Sequence, residues 1–114
     1  MKVPRSVQVL RIYIGASYHH GSTVPVFETL ITRARMMKMA GATILKCHKG
    51  YGPAEIAGSS DYRMSTEAPI IVEIVDTPEN IATFVPVAKE ILHNRGLMTL
   101  HEAQVIHQGA APEL

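Results

Sequence analysis

Two segments of this chain are apolar at almost every position, and they constrain the fold more than any other feature. Val7–Ile14 and Ile70–Asp76 carry apolar side chains on both faces, with Gln8, Arg11 and Glu73 as polar exceptions. Successive side chains of a strand point to opposite faces, so a strand of this kind must be covered on both sides. The pattern predicts two strands of a sheet that is covered on both faces.

The segments that follow these strands have the apolar spacing of helices. One helical pattern begins after Pro25, and a second begins at Thr77-Pro78, where threonine caps and proline suits the first turn. Gly41 and Gly96 are expected to end the two helices. Pro86 lies inside the second apolar stripe, so we expect it to bend that helix or to shift its start.

The remaining segments predict two more strands. Ala42–Lys49 is rich in β-favouring residues, and Ala103–His107 is expected to be the last strand. Thr99–Glu102 between helix and strand has capping-box spacing and predicts one short helical turn. The order of elements is typical of an α+β, ferredoxin-like βαββαβ sandwich, with an antiparallel sheet and two helices on one face. We expect residues 1–114 to form one such domain.

This architecture leaves one sheet face without helices. Because the central strands are apolar on both faces, we expect the second face to be buried against another chain. The alternative is a sheet that tolerates a few exposed aliphatic side chains, as many sheets do.

Composition argues against several classes of function. The 11 lysines and arginines nearly balance 10 acidic residues, and only 5% of residues are aromatic, so we expect no nucleic-acid surface. The apolar stretches are far shorter than the roughly 20 residues that span a bilayer, and we expect no membrane insertion. A single cysteine, Cys47, excludes an intramolecular disulfide. A cytoplasmic protein is the resulting expectation.

Three motifs resemble a known family. LRIYIG at 10–15, GATILKCHKGYG at 41–52 and APIIVEIVDTPENI at 68–81 resemble the bacterial PII-like family catalogued as domain of unknown function 190, which is related in fold to the nitrogen regulatory protein PII. The resemblance implies a homotrimer that binds adenine nucleotides in clefts between subunits. It also implies that the long, mobile loop Pro53–Glu67 contacts a membrane transporter or an enzyme.

The chain departs from the PII pattern at two places. PII proteins hold phosphates with a glycine-rich, lysine-containing loop after the second helix, whereas the matching stretch Gly96–Glu102 has one glycine and no lysine. They also use arginines near the C-terminus, and Val105–Leu114 contains none.

Candidate ligand-binding residues flank the second strand and precede the first helix. Gly50-Tyr51-Gly52 resembles a PII element that lines the nucleotide cleft, although such a pair of glycines also suits a simple turn. His20 and Gly21 lie beside a helix N-terminus that attracts anions, or in a merely solvated loop. Nearby basic side chains could balance a phosphate or form a solvated rim. The candidate set is Gly50, Tyr51, Gly52, Lys46, Lys49, His20, Gly21 and Arg63.

No catalytic or metal-binding spacing appears among the six histidines, so we assign neither kind of site. The prediction is a non-enzymatic regulatory trimer that binds a small anionic metabolite, which the resemblance implies to be an adenine nucleotide, and engages a partner through the loop 53–67. A metal-binding or structural trimer is one alternative. An enzyme that uses His20 or His48 as a general base is another.

Overall fold

The computed structural model describes residues 5–48 and 69–109. Within these residues the chain forms one four-stranded antiparallel sheet and two helices. The strands are β1 (Ser6–Gly15), β2 (Gly41–Lys46), β3 (Pro69–Asp76) and β4 (Leu97–Gln104), and the helices are α1 (Val26–Met36) and α2 (Pro78–Leu92). The strand order is β2-β3-β1-β4, with β1 and β3 in the centre as their two apolar faces require. The predicted ferredoxin-like fold is confirmed.

The main core lies between one sheet face and both helices. On β1 it contains Leu10, Ile12 and Ile14, which pair across the ladder with Ile74, Val72 and Ile70 on β3. Leu30 of α1 and Phe84 of α2 complete this layer, and both are fully buried. Each buried side chain of this size contributes roughly 1.5–3 kcal/mol by leaving water, so this layer is the main source of stability.

Helix α2 begins where the sequence predicts. The Thr77 side chain accepts a hydrogen bond from the Asn80 backbone N–H at 3.2 Å, and Pro78 occupies the first turn. Pro86 lies within the helix and leaves this start unchanged, so the expected shift of the start does not occur. The buried stripe is Ile81, Phe84, Ala88 and Leu92.

The end of α2 and the start of β4 are joined by a tight turn. His93 and Gly96 both have positive φ angles, of 59° and 83°. A Cβ atom at Gly96 would lie 3.1 Å from the Tyr13 carbonyl oxygen and 3.2 Å from a Leu92 methyl carbon, so glycine is required there. The helix itself ends at Leu92, so Gly96 lies in the turn that follows α2 and is not the residue that ends the helix, contrary to the expectation.

Two local predictions were wrong. Thr99–Glu102 is not a helical turn but part of β4, which also begins earlier and ends earlier than the expected strand Ala103–His107. The capping-box spacing is a local signal, and pairing along β1 from Ser6 to Tyr13 outweighs it. Likewise, α1 ends at Met36, and Gly41 is the first residue of β2 instead of a helix stop.

Pro86 provides a test of helix energetics. Its missing N–H cannot donate to the Ala82 carbonyl group, and its ring crowds the preceding turn. We expect Pro86→Ala to raise the free energy of unfolding by about 1–3 kcal/mol, measured by urea denaturation. The matched control is Pro78→Ala, which should bring no gain because proline is tolerated at the first turn. Equal stability of Pro86→Ala and the unmodified protein would contradict this expectation.

Candidate functional site

The described residues of the predicted ligand site lie at one end of the sheet, in β2 and in the loop before α1. Lys46 is the last residue of β2 and is exposed. His20 and Gly21 lie in the loop between β1 and α1, and both are also exposed. The other candidates, Lys49, Gly50, Tyr51, Gly52 and Arg63, lie outside the described residues, as does the loop Pro53–Glu67.

β2 and β3, the described strands on either side of this loop in the sequence, remain paired up to Lys46 and Ile70. β2 pairs with β3 from Gly41↔Val75 to Lys46↔Ile70. One residue beyond β2, the Cys47 N–H donates to the Pro69 carbonyl oxygen at 3.2 Å. Cys47 is a partly buried free thiol. The chain therefore leaves the sheet after Cys47 and rejoins it at Pro69, the residue that Cys47 contacts.

The N-terminus of α1 already has partners for some of its backbone donors. The Val26 N–H donates to the Tyr18 carbonyl oxygen at 2.8 Å, and the Glu28 N–H donates to the Pro25 carbonyl oxygen at 3.0 Å. Glu28 also places an acidic side chain in the first turn. These contacts leave fewer donors for an anion beside His20 than the sequence alone indicated.

His20 instead contacts a residue that the sequence places far away. Its ring lies 3.8 Å from the ring of His93, measured between centroids, with a tilt of 35°. In the same region the Arg95 guanidinium lies over the Tyr18 ring, 5.0 Å from its centroid. The loop before α1 and the turn after α2 are therefore joined by two side-chain contacts, which no spacing pattern in the sequence could reveal.

The opposite end of the sheet contains a cavity of about 210 Å³ that sequence reasoning missed. It lies where β1 and β2 begin and where β3 and β4 end. Its walls are the residues Arg5, Val7, Ala40, Gly41, Val75, Asp76, Thr77, Val105, His107 and Gln108. Because these residues come from four separate segments, only the folded topology brings them together.

Two flanking segments shape one wall of this cavity. The Val105 N–H donates to the Arg5 carbonyl oxygen at 2.9 Å, and the Arg5 guanidinium donates to the Gln108 side chain at 3.3 Å. His107 lies in the same segment and lines the cavity. His48 follows the opposite end of β2, so His48 and His107 do not converge. Within the described residues no group of three or more metal-ligating side chains is present.

Asp76 is the buried charged group of this cavity, and its carboxylate is fully engaged. One oxygen accepts from the Thr77 N–H at 2.6 Å and from the Asn80 side chain at 2.9 Å, and the other accepts from the Ala40 N–H at 2.7 Å. Burial would raise the pKa of Asp76, but hydrogen bonds from Ala40, Asn80 and Thr77 outweigh it and lower the pKa below its usual value. The carboxylate thus joins the start of β2 to the start of α2.

The sheet face opposite the helices carries an apolar row that crosses all four strands. The register aligns Leu45, Ile71, Tyr13 and Leu97 in this row. Leu45 is 40% exposed and Leu97 is 43% exposed. An adjacent row contains the ion pair between Arg11 Nε and Glu73 Oε2 at 2.8 Å. The hydrogen bond with Glu73, followed by that with Tyr13, raises the pKa of Arg11, so this guanidinium stays charged.

Among the described residues, no helix is long and apolar enough to cross a membrane.

A family model matches residues 7–105 of the chain, nearly its whole length. The matched family is DUF190, described as an uncharacterized ACR. A UPF0166 protein of Aquifex aeolicus is 34% identical over 84 residues, which cover 73% of this chain and 78% of that protein. A UPF0166 protein of Methanocaldococcus jannaschii is 36% identical over 67 residues, covering 59% of this chain and 62% of that protein.

Solved structures with the same fold are PII-like proteins. CPII, a nitrogen regulatory PII-like protein from Thiomonas intermedia that was solved with ADP, AMP and bicarbonate, has a TM-score of 0.65 and 14% identity. The match covers 92% of each chain. A PII-like signaling protein from Thermus thermophilus has a TM-score of 0.60 and 13% identity, covering 90% of this chain and 91% of that one. At these identities the likeness concerns the fold.

The hydrogen bonds of Asp76 predict how stability depends on pH. Folding lowers the pKa of Asp76, so its carboxylate stabilises the folded protein fully at pH values above the pKa that Asp76 has in the unfolded chain. This stabilisation is lost as the pH falls through the pKa that Asp76 has in the folded protein. We expect Asp76→Asn to reduce the free energy of unfolding at neutral pH by about 1–3 kcal/mol, with a smaller difference at acidic pH. Urea denaturation across a pH series measures both effects.

The control for this experiment is Glu79→Gln, which removes an exposed carboxylate from the first turn of α2. Its difference from the unmodified protein should stay small at every pH. A penalty for Asp76→Asn that is the same at neutral and acidic pH would contradict a role for the ionised carboxylate.

Proposed function

This chain belongs to the DUF190 family, and from that membership and the geometry of its sheet we propose that it is a non-enzymatic, PII-like regulatory protein of the cytoplasm. In this proposal residues 1–114 form one domain that assembles as a homotrimer. A small anionic metabolite, an adenine nucleotide, binds in the clefts between subunits. The loop Pro53–Glu67 then engages a membrane transporter or an enzyme.

The observation that carries the proposal is the sheet face that no described helix or strand covers. Its row of Leu45, Ile71, Tyr13 and Leu97 spans the whole sheet, whereas soluble proteins seldom leave a continuous apolar band in water. The charges in the adjacent row, Arg11 and Glu73, neutralise each other through a 2.8 Å contact. Burial of this face therefore desolvates a pair instead of an isolated charge, which favours association with other copies of the chain.

The positions of the two groups of candidate residues support a ligand site between copies. Lys46 lies at one end of β2, and the cavity lies at its other end, about 20 Å away for six residues of strand. One small ligand cannot contact both Lys46 and the cavity in a single protomer. A cyclic trimer joins different surfaces of neighbouring copies, so Lys46 of one copy can meet the cavity of the next.

The side chains of the cavity suit an anion attached to a less polar group. Val7, Val75 and Val105 supply apolar walls, while Arg5 and His107 supply donors. Asp76 stays ionised in the same cavity, because hydrogen bonds from neutral donors stabilise its negative charge without removing it, so Arg5 must supply the attraction for an anion. Arg5 also supplies a guanidinium beside the C-terminal segment, where the chain lacks the arginines typical of PII proteins. The ADP and AMP bound to CPII make adenine nucleotides the first class to test.

A switch of this kind needs the ligand to bind one state of the loop better than another. Gly50-Tyr51-Gly52 lies between β2 and the loop in the sequence, so a ligand that contacts these glycines can order the residues that follow. The proposal assigns no chemical step to any side chain.

Assembly through the open face predicts that a charged substitution in its apolar row dissociates the trimer. Leu97→Asp places a carboxylate in the apolar row, and its burial in an interface would cost several kcal/mol. We expect this variant to be monomeric in analytical ultracentrifugation, whereas the unmodified protein sediments as a trimer. The control is Met36→Asp, at a methionine of α1 that is 69% exposed, and it should remain trimeric. A monomeric unmodified protein, or a trimeric Leu97→Asp variant, would contradict the proposed interface.

Ligand binding predicts a change in thermal stability. A nucleotide that binds only the folded protein adds about 2.7 kcal/mol at 100 times its dissociation constant, which corresponds to a shift of several degrees. We expect AMP, ADP or ATP to raise the unfolding temperature, and Arg5→Ala to reduce that shift. Arg33→Ala, which removes an exposed guanidinium from α1, is the matched control and should keep the full shift.

The same samples test the coupling to the loop. Limited proteolysis should cleave within residues 53–67, and the stabilising nucleotide should slow that cleavage. A thermal shift without any change in cleavage would refute the coupling but not the binding. The absence of a shift with every adenine nucleotide would refute the proposed ligand class.

A further inference from the structure

The side chains of His20 and His93 can both bind metal ions, and the two rings are in contact. The proposed function does not use them as a pair. His20 lies in the loop before α1, and His93 is the residue directly after α2. Their ring centroids are 3.8 Å apart, and both residues are exposed. We propose that these two imidazoles form a binding site for a divalent transition-metal ion such as Zn²⁺, independent of the nucleotide site.

Backbone and side-chain contacts hold together the two segments that carry these rings. His93 has a φ angle of 59°, and its N–H donates to the Lys89 carbonyl oxygen at 3.0 Å. In the other segment the Tyr18 carbonyl oxygen accepts from the Val26 N–H at 2.8 Å, which ties the loop to the start of α1. The contact of Arg95 with Tyr18 joins the same two segments a second time. An ion therefore meets a pair that the fold has already assembled.

The chemistry of the pair selects the kind of ion. Neutral imidazole nitrogen atoms are good ligands for Zn²⁺, Cu²⁺ and Ni²⁺, whereas Mg²⁺ and Ca²⁺ prefer oxygen ligands. Both rings are exposed, so an ion can reach their nitrogen atoms from solvent. To bind one ion the two rings must rotate out of their present contact, because imidazole lone pairs lie in the ring plane and two nitrogen ligands of one ion hold the ring centroids farther apart than 3.8 Å. Water then fills the remaining positions.

The charges around the two histidines have opposing effects on the binding of a cation. His93 caps the C-terminus of α2, where the last carbonyl groups of the helix favour a cation. Lys89 in the last turn and Arg95 in the following turn oppose it, although the Arg95 guanidinium lies over the Tyr18 ring. Since the described residues supply only these two ligands at the site, it is open, and the ion it holds is exchangeable.

The test is a calorimetric titration of the full, tag-free protein with Zn²⁺ in the absence of nucleotide. We expect one ion per chain, and we expect His20→Ala or His93→Asn to weaken binding on the order of tenfold or more. Asparagine is chosen at position 93 because it tolerates the positive φ angle while lacking the imidazole. His48→Ala is the matched control, because His48 is also exposed but lies next to β2, and it should bind as the unmodified protein does.

A second readout locates the ion. Substoichiometric Cu²⁺ should broaden the backbone NMR signals around residues 20 and 93 before any others. Unchanged Zn²⁺ affinity in both variants, or broadening that is confined to other residues, would overturn the proposal. Binding of Mg²⁺ at these residues with equal affinity would also overturn it, because imidazole ligands do not select that ion.

Discussion

The pairing of β1 with β3 is the constraint on which the rest of the structure depends. Eight consecutive pairs, from Gln8↔Asp76 to Gly15↔Pro69, place apolar side chains on both faces of the two central strands. One face requires α1 and α2, which bury Leu30 and Phe84 against it. No described helix or strand covers the other face, and the proposed assembly would bury it against another copy of the chain. The fold and the proposed assembly thus depend on the same two strands.

Most of the fold could be predicted from local patterns because those patterns agree with the tertiary contacts. The central strands follow from their apolar runs, and the start of α2 follows from Thr77 and Pro78. The sequence was misleading where a local signal competes with a long-range one. Thr99–Glu102 has the spacing of a helix start, yet it pairs with β1 because an edge of the sheet is available there. No local sequence pattern shows that this edge of the sheet is available for pairing.

Much less of the candidate site could be predicted, for the same reason. The sequence predicted ligand-binding residues near glycines. Those that the structure describes are Lys46, His20 and Gly21, and they lie at one end of the sheet. The cavity at the other end combines Arg5 with residues about one hundred positions later, and sequence spacing carries no signal for such a meeting. The contact between His20 and His93 has the same character. Ligands are often held by side chains that are distant in sequence, so sites are harder to predict than strands.

The hydrogen bond between Cys47 and Pro69 has a consequence for how such a protein can diversify. It fixes the two points between which residues 49–68 run, one rung beyond the last strand pair. The entropic cost of closing a chain segment grows only logarithmically with its length, by about 0.6 kcal/mol for each doubling. The length of this segment can therefore vary at a small cost in closure entropy, while the Cys47–Pro69 hydrogen bond and the strand pairs beside it stay the same.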